Sequence, residues 1–98
     1  MKYMVNVTPH KGVKEDEIKA EIKEAVKNDF KLWDIIKKGF IKTNELYFKV
    51  DKLGAVFFIE CASEEEVRSY INELHVIQKK VMNYEIERVD HFMPDFIK

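Results

Sequence analysis

The sequence predicts an α+β domain: strand, helix, strand, strand, helix, strand, with a four-stranded antiparallel sheet and both helices on one face. Three observations carry this reading. Residues 54–62 form an apolar run of strand length, rich in residues that suit a pleated surface. That run leads into Ser63 with Glu66 three residues on, the spacing of a helix N-cap and its reciprocal partner. Elsewhere the apolar residues recur at helical steps after the first few residues and alternate towards both ends of the chain.

In chain order, Tyr3, Val5 and Val7 alternate with Met4, Asn6 and Thr8, the two-residue period of a strand that Pro9 ends. After the turn at His10–Gly12, Glu15, Asp16 and Glu17 gather where a helix N-terminus favours negative charge. Ile18, Ile22, Val26, Phe30, Trp33 and Ile36 then form one stripe of a long amphipathic helix, with Asn28-Asp29 allowing a break. Lys37, Lys38 and Gly39 supply its end. A second strand lies in the latter half of 40–50, where Leu46, Phe48 and Val50 alternate with Glu45, Tyr47 and Lys49. The short link 51–54 makes it a hairpin with the central strand. Val67, Tyr70, Ile71 and Leu74 mark one face of the second helix, which ends near His75. The last strand spans Asn83 to Phe92.

The 98 residues make one domain with a single core, and 46% hydrophobic content lets it fold without disulfides or metal. Seventeen basic residues against 18 acidic, interspersed, disfavour a general nucleic-acid or anionic-membrane surface. Cys61 is the one cysteine, which excludes an intramolecular disulfide and fits a reducing cytoplasm. No run approaches the roughly 20 apolar residues of a membrane span, and Asn6 and Pro9 leave no room for a signal-peptide core.

Alternation assigns the two faces. Tyr3, Val5, Val7, Phe48, Val50 and Phe57 belong under the helices, with Ile59, Tyr84 and Ile86. The open face takes Met4, Asn6, Thr8, Tyr47, Lys49 and Val56, together with Phe58, Glu60, Glu85, Glu87, Val89 and His91. With Val56 and Phe58 at its centre this face is too apolar for water, so a second copy of the sheet is expected to cover it.

The segment Trp33 to Gly39 closing the first helix and Gly54 leading into the central strand resemble the muconolactone isomerase-like branch of the dimeric α/β-barrel proteins. So do Ala62-Ser63-Glu64 opening the second helix, Asn72-Glu73-Leu74 ending it, and Tyr84 to Val89 closing near His91 and Pro94. The resemblance implies a ferredoxin-like βαββαβ fold, sheet-to-sheet dimers or larger assemblies, and a pocket between sheet and helices or at a subunit interface. In the enzymes of that branch it implies cofactor-free proton shuffling on a small lactone acid.

Candidate chemistry centres on Glu60, between Phe58 and Ala62 on the open face, where desolvation would raise its pKa and suit it to proton transfer. The alternative is a solvated carboxylate, or one paired with Lys49. His91 on the same face and His10 at the strand end are candidate second acid/base groups, against ordinary surface histidines. Asn6 and Tyr47 could orient a substrate carbonyl or pair across the sheet. Lys49 is the cation on that face, since alternation turns Arg88 to the helix side. Phe58 would form a pocket wall. The three histidines lack metal-ligand spacing, no glycine-rich phosphate loop occurs, and no histidine sits in a haem motif, so no cofactor is expected. Phe30 with Trp33 reads as core and Cys61 as an inert buried thiol. Two functions follow: a cofactor-free isomerase-type enzyme for a small organic molecule, or a non-catalytic oligomeric module that holds a ligand.

Overall fold

Residues that favour a pleated backbone pair as the alternation requires, in a computed structural model that describes residues 1–28 and 31–90. The strands are β1 (Lys2–Pro9), β2 (Leu46–Phe48), β3 (Ala55–Glu60) and β4 (Met82–Val89). Their spatial order is β2-β3-β1-β4, every neighbouring pair antiparallel, which is the ferredoxin-like arrangement. The register sets Val5 between Phe57 and Ile86, and Asn6 between Val56 and Glu85. Directly opposite residues share a face, so the two faces are those read from the alternation.

The helices are α1 (Glu15–Asn28), α2 (Lys31–Lys37), α3 (Glu64–Ile71) and the four-residue α4 (His75–Gln78). Val5, Phe57, Ile59, Ile18, Val67 and Ile71 are buried between sheet and helices. Each such burial contributes about 1.5–3 kcal/mol. That exceeds the roughly 1 kcal/mol of a helix cap, so the apolar face holds α3 in place and Ser63 sets where it starts. Glu66 N–H donates to Ser63 Oγ at 3.2 Å, while the Glu66 carboxylate accepts from the Ala62 N–H at 3.3 Å, one residue earlier than the reciprocal pattern predicts.

The long stripe needs correction. Val26 and Trp33 are 59% and 47% exposed, and Ala25, Leu32 and Ile35 are buried instead. At 3.6 residues per turn, Val26 lies about 80° round the helix from Ile18 and Ala25 only about 20°, so successive four-residue steps drift off the buried face. Phe48 and Val50 also depart from expectation at 66% and 96% exposed. Phe48 is on the helix side, opposite Ala55, but β2 is a three-residue edge strand, and Val50 lies beyond its end. The second helix ends at Ile71, before the His75 expected, and the connection to β4 contains α4. Lys79 N–H and Val81 N–H close α4 onto the carbonyls of His75 and Val76, and Lys80 takes a left-handed turn at φ 58°. Asp29, Phe30, His91, Phe92 and Pro94 lie outside the described residues.

Candidate functional site

The open sheet face does not assemble the site expected there. Glu60 ends β3 opposite Lys2, and its side chain is 53% exposed and 3.5 Å from the Met1 amino group. It is neither desolvated nor paired with Lys49. Lys2 instead reaches Glu45 at 2.9 Å, which raises the lysine's pKa, and lies 6.0 Å from the Phe58 ring centroid. Phe58 is half-buried. Tyr47 is exposed opposite Val56, and Lys49 folds its alkyl chain beside Gly54. His10 is exposed in the turn after β1, its backbone N–H bonded to the Val81 carbonyl. Asn6 is half-buried, and its Oδ1 is shut off from solvent without a hydrogen-bond partner. His91 lies outside the described residues.

The opposite face of the sheet carries a cavity of about 180 Å³. Val7 and Phe57 form its floor, Ile22 and Ala25 of α1 with Leu32 of α2 form one wall, and Leu74 and Met82 another. Phe48 and Val26 stand at the rim, which accounts for two of the exposed apolar side chains. The lining is apolar except for Lys31 and His75. Those two residues also line an adjoining polar pocket of about 260 Å³, completed by Glu73 and Gln78.

The chain between α3 and β4 puts His75 at this junction. The final turn of α3 closes through Asn72 and Glu73 N–H bonds to the Arg68 and Tyr70 carbonyls, and buried Leu74 turns extended at ψ 135°. His75 then opens α4, with its ring half-buried over α1. Its Nε2 lies 3.4 Å from Glu21 Oε1, both side chains about one-quarter exposed. When Nε2 carries the proton it donates to this carboxylate, and Nδ1 is then the ring's acceptor. Sequence reasoning did not select this pair. Among the described residues, no group of three or more His, Cys, Asp and Glu is placed to hold a metal ion, and no helix is long and apolar enough to cross a membrane.

Cys61 is buried below the sheet end as expected. Burial, and then the Glu66 carboxylate, push its thiol from the ordinary 9.0 up to about 11. It is a thiol rather than a nucleophilic thiolate at neutral pH.

No family model matches the chain, and no curated protein matches it in sequence. Among solved structures it is similar to 5-chloro-2-hydroxyhydroquinone dehydrochlorinase from Burkholderia phenoliruptrix, in complex with 2,5-dihydroxybenzoquinone. The two are 16% identical with a TM-score of 0.68, over 94% of this chain and 96% of that one. At that identity the likeness is one of fold: the ferredoxin-like arrangement extends over nearly the whole of both chains.

Proposed function

We propose that this protein is a cofactor-free proton-transfer enzyme of isomerase type, acting on a small one-ring organic molecule held between the sheet and the helices. The observation that carries the proposal is His75, braced by Glu21, at the junction of an apolar cavity and a polar pocket. With the proton held on Nε2 by the carboxylate, Nδ1 is the basic atom. It takes a proton from a carbon beside a ring carbonyl, the ring nitrogen exchanges that proton with solvent, and a proton is returned at another carbon. The net change is migration of a double bond, with no gain or loss of atoms. The dehydrochlorinase of the same fold also acts, by its name, on a one-ring compound, and the muconolactone isomerase-like resemblance points to the same class of chemistry.

On this reading the open face serves assembly rather than catalysis. Met4, Val56 and Phe58 form the centre of a homodimer interface. Glu60 and Tyr47 then lie at its margin.

The test is deuterium incorporation from heavy water into a five-membered unsaturated lactone. The wild type should accelerate it, and His75→Gln should lose about two to four powers of ten while staying folded. Equal rates in the two proteins would refute the assignment of His75. A wild type that binds the lactone without exchanging it would leave the non-catalytic ligand-holding function instead.

A further inference from the structure

We infer that the site prefers a ring bearing hydroxyl groups over a ring bearing a carboxylate, an inference that rests on the cavity reading above. An apolar cavity of roughly 150 Å³ holds one benzene ring, so 180 Å³ takes one ring and leaves no space for a second. Substituents on that ring pass His75 into the polar pocket. There Lys31 is positive, Glu73 is negative, and the Gln78 amide both donates and accepts. Glu21 stands behind the imidazole, 3.4 Å from its Nε2.

The polar pocket thus sets a carboxylate, Glu73, beside an ammonium, Lys31, with the Glu21 carboxylate behind the His75 ring. A carboxylate only accepts hydrogen bonds. It gains from Lys31 but leaves Glu73 facing a like charge, and it carries a charge to the edge of an apolar chamber. A hydroxyl matches the same wall without that conflict. It donates to the Glu73 carboxylate and accepts from the Lys31 ammonium or the Gln78 amide, and no net charge moves.

The test is titration calorimetry at neutral pH with toluene, resorcinol and benzoate, on the wild type and on Glu73→Gln. Hydrogen bonds to charged groups support a preference of about tenfold for resorcinol over benzoate. Glu73→Gln should shrink that preference to about threefold or less, by weakening resorcinol and strengthening benzoate. Glu73 is exposed at the helix end, so the variant should fold. Benzoate binding as tightly as resorcinol would overturn the inference, as would a preference that Glu73→Gln leaves unchanged. Toluene binding with no gain for resorcinol would overturn it and leave the cavity reading standing. Failure of all three probes would overturn both.

Discussion

Burial and the neighbouring Glu66 carboxylate hold the Cys61 thiol protonated up to about pH 11. A pKa raised on folding stabilises the protein fully below the unfolded value, and that contribution is lost as pH rises from about 9 through 11. Denaturant midpoints of the wild type and Cys61→Ala should therefore converge across this window. A constant gap would contradict the placement of the thiol. Cys61 was readable in the sequence because strand alternation alone sends it to the helix side. His75 was not, because its partner Glu21 lies 54 positions away, and no local spacing registers a contact between the first helix and the link after the second. Glu60 follows the solvated alternative that the sequence left open. Its apolar neighbours along the strand suggested desolvation, but it stands at the strand end, where water and the Met1 amino group reach it.

Periodicity carried the elements further than it carried their burial. The strand order and both faces follow from alternation and the short hairpin link, and Ser63 marked the start of α3 to the residue. The α1 stripe failed at Val26 because four-residue steps outrun the helical turn, and α4 is too short to show a period. Gly54 is where sequence and structure agree most specifically. It sits at φ +142°, and a Cβ there would meet the Val7 carbonyl oxygen at 2.6 Å and Lys49 Cδ at 2.9 Å. The lysine end can move, but the carbonyl belongs to the central strand β1 and cannot. Gly54→Ala should therefore cost about 1–3 kcal/mol, read as a lower denaturant midpoint, and an unchanged midpoint would mean that the hairpin relaxes without cost.

At the scale of the molecule, the two faces of the sheet differ: one makes a chamber with the helices, and the other carries Met4, Val56 and Phe58, which we propose meet a second copy. Sedimentation at micromolar concentration should give twice the chain mass of 11.7 kDa or a multiple of it. Phe58→Asp should shift the protein towards monomer by burying a charge in the interface, and a wild type that is already a clean monomer would rule the dimer out. The chamber's place, between sheet and helices, is one of the two that the resemblance implies, but its lining could not be read from the sequence, since its rim is built from Val26 and Phe48, which periodicity assigned to the core. Where a one-ring molecule binds separates the two faces most directly. In a methyl-labelled sample titrated with toluene, the shifts should fall on Ile22, Leu32 and Met82 around the cavity, with Met4 and Val56 unmoved. Shifts confined to Met4 and Val56 would place the ligand on the open face and contradict the account.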